Sequence, residues 1–451
     1  MSRLNRLVES IHDSGGKIYQ VGGPVRDLLL GIADPKDLDL IVCRLPFEKL
    51  KEILNRFGSV YLVGQSFGVI KFKPTDSDQA FDVSLPRKEL STGAGHRDFA
   101  VDFDPWLSIE TDLGRRDFTI NAMAMEFPEG PVIDPYGGRD DLSKKILRMV
   151  SSSSFPDDPL RMLRGIQFAA RFDLTVETAT FEAMIKHAPL VVTVSAELIA
   201  DELNKLLLKA EKPSIGFLLM NQTGLLSYVL PELAQTVGIS QPGGFHRWDV
   251  FEHTLRTIDN SPPKLIIRLA ALFHDCGKPS TRELTDTGAS FYGHDRVSQK
   301  MAEEALKRLR YSNDIIDQVC LLVRRHMFSE AAGEKGIRRL MNKTGPELIY
   351  DLIELRKADT LAQGMGQKLE GIDEYRQKVN DEINKHNAFS IKDLAIDGDD
   401  LKKELDLPEG PIIGLILKEL LNEVLDNPQS NDRGKLIQIA REIFRKRQLD
   451  F

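Results

Sequence analysis

Long apolar runs are missing from this chain. None approaches the roughly 20 residues a helix needs to cross a bilayer, so the pattern excludes a helical integral membrane protein. Cysteine is scarce. Cys43, Cys276 and Cys320 lie far apart and fit neither a disulfide framework nor a cysteine-based zinc site. Positive charge is not in excess: the net charge of −8 excludes any simple reading of the whole chain as a basic nucleic-acid binder. Residues 1–10 carry charge where a signal peptide needs an apolar core. Together these features predict a protein of the reducing cytoplasm. Internal repeats and long low-complexity tracts are absent as well.

What is present is a globular composition, 41% hydrophobic and 28% charged. A length of 451 residues predicts two to four domains. Short β-rich runs (17–21, 38–42, 69–72, 80–84 and 119–126) alternate with helical ones up to about Tyr136. This predicts an α+β head with a mixed sheet. The serines at 151–154 and the following Phe155-Pro156 mark a break. Beyond it the pattern is helical. Residues 160–172 read as an amphipathic helix with Arg161, Arg164 and Arg171 on its polar side, and 195–208 as another helix. The predicted segments are a head at 1–150, a helical neck at 151–240, a third domain at 241–385 and a helical tail at 386–451.

The chemistry begins at Val21-Gly22-Gly23-Pro24-Val25-Arg26-Asp27. A Gly-Gly turn after a short strand lets backbone N–H groups approach a phosphate, and Arg26 offers a forked donor. Asp27 is as readily a partner for Arg26 or a helix cap. Asp37 and Asp39 follow, two residues apart on a predicted strand, so their carboxylates share a face. Such a pair can hold Mg²⁺ beside substrate phosphates. Alone, a D-x-D is commonly a solvated turn. Here strand, glycine turn, arginine and paired carboxylates form a layout for metal-assisted nucleotide transfer. Asp82, on the strand-like 81–84, offers a third carboxylate, against the alternative of a solvated sheet edge. Arg115, Arg116, Lys144, Lys145, Arg161, Arg164 and Arg171 predict a local phosphate-facing patch that the net charge conceals. The basic residues 445–447 read as a solvated helix end.

Two further motifs sharpen this reading: Arg115-Arg116-Asp117-Phe118-Thr119-Ile120-Asn121-Ala122 and Asp157-Asp158-Pro159-Leu160-Arg161-Met162-Leu163-Arg164. Asp158 and Arg161, three apart on a predicted helix, would share a face and offer acceptor and donor groups together. The plainer alternative is a salt bridge at the helix start. With these motifs in this order, nearly the whole chain resembles the class II tRNA nucleotidyltransferases, the CCA-adding enzymes and their bacterial poly(A) polymerase relatives.

The resemblance implies a polymerase-beta-like head followed by helical neck, HD and tail domains. It implies Mg²⁺ as cofactor, ATP and CTP as substrates and the tRNA 3′ end as partner. Gly22, Gly23, Arg26 and Arg116 would lie at the phosphates, and Asp117 and Asn121 near the sugar. Asp158 and Arg161 would read the base edge without a template, with Arg164 on phosphate. Two positions depart from the family pattern: Asp157 stands where Glu is frequent, and Gln167 where Arg is common. The polar, glycine-containing residues 88–97 occupy the place of a loop associated in the family with adding the terminal A. Addition of A alone and poly(A) synthesis stay open.

Farther along, His274-Asp275 follows an apolar helix at 266–273. With His253 upstream and His294, His326 and Asp359 downstream, it resembles the HD phosphohydrolase signature. Imidazoles with carboxylates suit a divalent transition metal or Mg²⁺. A lone buried histidine is ordinarily a core residue, but four of the nine histidines fall in this ordered set. A phosphohydrolase whose head mainly binds RNA or nucleotide is therefore the alternative of another class. The tail segments 389–394 and 410–414 resemble the family's tRNA-body-binding helices, against an ordinary helical hairpin.

Overall fold

The computed structural model describes residues 3–32, 38–63, 68–91, 99–242, 247–285, 288–364, 366, 369–385 and 387–449. They pack as two compact units, Met1–Pro231 and Glu232–Phe451.

After an opening helix, Arg3–Asp13, the strands of the first unit are β1 (Lys17–Val21), β2 (Asp39–Cys43), β3 (Gly58–Val63), β4 (Val69–Pro74) and β5 (Phe81–Ser84). Then come β6 (Arg87–Ser91), β7 (Phe99–Phe103), β8 (Ala124–Glu126) and β9 (Val132–Ile133). Seven of these form one sheet in the order β3-β4-β5-β2-β1-β8-β9, while β6 and β7 make a separate hairpin. The β2–β5 pair is parallel and β1–β2 is antiparallel, which gives the mixed sheet expected of the head. The sequence Asp-Leu-Ile-Val-Cys suits β2 to the sheet centre. Its residues 40–43 are all buried, as a strand covered on both faces requires. Helices Arg3–Asp13 and Phe47–Phe57 pack Leu7, Ile11, Leu50 and Leu54 against one face. Ile109, Leu113 and Ala122 cover Tyr19, Val21 and Ile41 on the other.

One expected strand divides. Over 119–126, Thr119–Asn121 forms a 3₁₀ turn and only Ala124–Glu126 pairs, as β8. The cause is polar. Thr119 Oγ1 donates to Asp141 at 2.7 Å and Asn121 Nδ2 donates to Asp117 at 3.0 Å, both buried. A flat strand would carry these side chains away from their partners.

Helix Leu160–Phe172 follows the break, flanked by β10 (Ile146–Leu147) and β11 (Thr175–Val176), a short parallel pair. Helices Thr178–His187, Ala196–Lys209 and Pro213–Gln222 extend the unit.

Among the described residues, the second unit is helical except for the antiparallel pair β12 (Glu283–Thr285) and β13 (Gly288–Ser290). Its first part holds helices Val250–Asn260, Leu265–Phe273, His294–Arg308 and Asn313–Arg325, with the long Glu334–Ala362. That last helix breaks its φ/ψ pattern at Gly345, before Pro346, as a residue preceding proline tends to. The C-terminal helices Gly398–Leu405, Pro411–Asp426 and Arg433–Leu449 share a core of Leu401, Ile416, Leu420 and Leu436.

Candidate functional site

A cleft of about 540 Å³ in the first unit collects most of the residues singled out from sequence in the head and the helix after it. Gly23, Arg26, Asp39, Asp82, Arg116, Asp117, Asn121, Asp158, Arg161 and Arg164 all line it. Gly22 adjoins it, with φ +72, a conformation that L side chains rarely adopt, and a Cβ there would meet the Arg116 Nη1. Asp37 lies outside the described residues.

The acidic end of the cleft is set by strand register. Asp39 on β2 pairs directly with Asp82 on parallel β5, so two carboxylates on adjacent strands open into one cleft. Burial pushes the Asp39 carboxyl up, and Asp112 and Asp82 add to it, against Arg116. Two carboxylates on paired strands facing one cleft suit a divalent cation.

The opposite wall is a polar network. Asp117 accepts from Arg164 Nε at 2.8 Å, Asn121 Nδ2 at 3.0 Å and the Phe118 amide at 2.8 Å. Burial alone would raise this carboxyl, but Arg164 and the hydrogen bonds hold it below the usual carboxylate range. Arg26 is more enclosed than its sequence context suggests, at 4% exposure. Its guanidinium donates to Asp27 at 2.8 Å and to Asn121 Oδ1 at 2.5 Å, and lies 4.5 Å from the Phe172 ring centre. Arg26 thus braces the cleft wall, and Asp27 is its partner.

The Asp158–Arg161 pair differs from the expectation of one shared helix face. Asp158 is extended (φ −140, ψ 97), ahead of the helix that starts at Leu160. Its Oδ1 accepts from the Leu160 amide at 3.1 Å, and its Oδ2 stands 3.8 Å from Arg161 Nε. Pro159, which disfavours helical geometry in the residue before it, explains the break. Arg161 is fixed by bonds to the Arg115 carbonyl at 2.8 Å and Ser154 Oγ at 3.3 Å. Both side chains still face the cleft.

The predicted basic patch divides. Arg115, Arg116, Arg161 and Arg164 line the cleft. Lys144 and Lys145 are exposed and pair with Asp140 and Asp173, each at 2.7 Å, away from it. Arg171 stacks on Phe172 at 4.7 Å. Asp112 was not foreseen: fully buried, it holds Arg115 at 2.8 Å and Arg116 at 3.5 Å. The spacing of an acid with arginines three and four residues later was its available signal.

In the second unit, His253, His274 and Asp359 form one buried triad, and Asp275, His294 and His326 another. Within each, the ligand atoms lie inside 4.8 Å of one another. His274, His294 and His326 each direct Nδ1 at a backbone carbonyl (Ala271, Phe291 and Val323) at 2.7–2.8 Å. A donor Nδ1–H there leaves the Nε2 lone pair facing the centre, as in a metal-ligating imidazole. The two triads meet at Asp275, whose Oδ2 is 3.2 Å from His274 Nε2 and whose Oδ1 is 3.4 Å from His294 Nε2. Burial and nearby His274 push His326 down to about 3, so its imidazole is neutral at physiological pH. The donor set fits divalent metal. A cavity of about 380 Å³ opens onto it, with Lys278 and Arg356 among its walls. Lys278 Nζ is 2.6 Å from Asp275, and Arg356 donates to Asp359 at 3.1 Å. No helix among the described residues is long and apolar enough to cross a membrane.

Comparison with known proteins agrees with this geometry. Residues 18–148 match the poly A polymerase head domain. Residues 173–236 match a probable RNA- and SrmB-binding site of polymerase A, and 289–440 a putative tRNA nucleotidyltransferase domain 2. A multifunctional CCA protein of Herminiimonas arsenicoxydans is 38% identical over 318 residues, 69% of this chain and 73% of the relative. A CC-adding tRNA nucleotidyltransferase of Thermus thermophilus is 32% identical over 418 residues, 89% of this chain and 88% of its own length. The crystal structure of the Bacillus stearothermophilus CCA-adding enzyme in complex with CTP superposes with TM-score 0.73 at 24% identity, covering 100% of this chain and 98% of that one.

Proposed function

The chain belongs to the CCA-adding tRNA nucleotidyltransferase family, and from that premise we propose that it builds the complete 3′-terminal CCA of tRNA from CTP and ATP. The observation that carries the reading is the Asp39–Asp82 register, which sets two carboxylates across a cleft from Asp158 and Arg161. We assign Asp39 and Asp82, with Asp37, to Mg²⁺. Bound there, the metal supplies activation of the 3′-hydroxyl and neutralises charge on the leaving pyrophosphate.

The chain's own residues do the rest. Gly22 and Gly23 let the backbone approach the triphosphate, with Arg116 beside them. Asp117 and Asn121, locked into one network with Arg26 and Arg164, orient the sugar. Asp158 accepts and Arg161 donates to the base edge, replacing a template strand. Both are restrained by backbone contacts, which suits recognition of a planar edge. Residues 88–97 occupy the place of the loop tied in the family to the terminal A, which favours full addition over CC alone; residues 92–98 lie outside the described residues. The neck at 151–240 and tail at 386–451 would hold the tRNA.

The test is incorporation on three tRNAs ending before CCA, after C and after CC, each with CTP, ATP or both. Completion of all three is expected. Addition stopping at CC would place the chain with its Thermus relative, a single A on the CC-ended tRNA alone would mark an A-adding enzyme, and long A tails a poly(A) polymerase.

A second activity is supported by the two triads of the second unit. With Lys278 and Arg356 beside them, they suit metal-dependent hydrolysis of a phosphoester.

A further inference from the structure

A second basic cavity of about 280 Å³ adjoins the reaction cleft in the first unit. Four cationic side chains line it, Arg87, Lys88, Arg115 and Arg161, against one acid, Asp157. Arg87, Arg115 and Arg161 also line the cleft, so the two spaces share a wall. Ser151 and Ser153 add hydroxyls to the lining, and Ser153 donates its amide to Ser151 Oγ at 3.2 Å.

Two features decide what fits. First, among the described residues the lining holds no aromatic and no large aliphatic side chain. A base has nothing to stack on there, whereas a phosphodiester has cations and hydroxyl donors. Second, none of Gly23, Arg26, Asp39, Asp82 or Arg116 reaches this cavity, although all line the cleft. It therefore lies away from the triphosphate and the metal end, where pyrophosphate would leave.

We propose that this cavity is a docking subsite for the sugar–phosphate backbone of the RNA strand being extended, seating a phosphodiester next to its 3′ end. The inference rests on the nucleotidyl-transfer reading above. A strand whose 3′-hydroxyl reaches Asp39 and Asp82 must leave the cleft somewhere. The wall formed by Arg87, Arg115 and Arg161 gives it a charged exit, with Lys88 as the next cation along. Lys88 is exposed on β6, so replacing it leaves the core intact.

The experiment compares wild type with Lys88→Ala, Lys88→Glu and Ser153→Ala. Equilibrium binding of tRNA is followed by fluorescence anisotropy across a salt series, and KM is measured separately for tRNA and for CTP. Loss of one phosphate contact is expected to weaken tRNA binding roughly 3- to 10-fold and to flatten the slope of log K against log salt by about 0.7 to 0.9. KM for tRNA should rise while KM for CTP stays, and Lys88→Glu should exceed Lys88→Ala. A rise in KM for CTP would make the cavity a triphosphate subsite and overturn the proposal, as would unchanged tRNA binding in all three variants. Wild-type protein that binds tRNA but extends none would refute the parent reading. The binding comparison would still decide the subsite.

Discussion

Replacing Asp117 by alanine probes the cleft wall most directly. Its carboxylate is 6% exposed and accepts from Arg164, Asn121 and the Phe118 amide. Removing it strands a guanidinium and two donors in the wall. Breaking one partner of a fully buried ion pair costs roughly 3–5 kcal/mol. The Arg164 side chain keeps 35% of its surface exposed, and solvent screening lowers the expectation to about 2–3 kcal/mol. Asp117→Asn preserves a side-chain acceptor and should cost less, about 1–2 kcal/mol.

The pH dependence has a definite sign. The Asp117 carboxyl is held below its ordinary value, so the folded state favours the ionised form. That stabilisation is fully present above the unfolded value near 4 and is lost as pH falls through the folded one. Urea midpoints of wild type and Asp117→Ala should therefore differ most at pH 6–7 and converge below about pH 4. A gap under 0.5 kcal/mol at pH 7, or one that widens in acid, would refute the argument that this pair organises the wall.

Asp39→Asn and Asp82→Asn should each lower nucleotide incorporation at least about 10²-fold, since several kcal/mol of charge stabilisation is lost with the metal. In metal-free buffer Asp39→Asn should also raise Tm, because burial and two neighbouring acids disfavour its charged form; a lowered Tm with full incorporation would remove it from the metal site. Stripping divalent metal with a chelator and restoring Mg²⁺ alone should recover tRNA extension. Metal analysis of purified protein should then find up to two equivalents bound by the second unit, and His294→Ala with His326→Ala should remove one. Retention of both equivalents would show that the Asp275–His294–His326 triad does not bind metal.

Much of the head was legible because its chemistry is local. Residues 17–21 are the observed β1, and β2, β4 and β5 begin within a residue of the sequence reading. Their alternation and flanking turns carry that information. The His/Asp clusters of the second unit were legible for another reason: one histidine is ordinarily a core residue, but four of nine falling in an HD-like order stand out. Less visible were relations set by distant pairing. Nothing local aligns Asp39 with Asp82, 43 positions later in the sequence; the parallel β2–β5 ladder does that. Asp158 looked helical by its spacing from Arg161, yet Pro159 holds it out of the helix, where its carboxylate accepts from the Leu160 amide.

Arg26 lines the cleft and also has protein partners that its motif does not reveal. Beside a Gly-Gly turn, an arginine reads as a ligand-facing donor. In the fold it is enclosed by Phe168 and Phe172 and donates to Asp27 and Asn121. Burial lowers its pKa, with Asp27 opposing. A desolvated guanidinium needs such partners to stay charged. Once they are in place, Arg26 ties the glycine turn to Asn121, and Asn121 to Asp117 and Arg164. The glycine turn, the Asp117–Asn121 segment and the helix carrying Arg161 and Arg164 are thereby joined through one set of buried and part-buried hydrogen bonds. A change at any member should disturb binding at the others, so nucleotide affinity and base choice in this cleft are expected to move together.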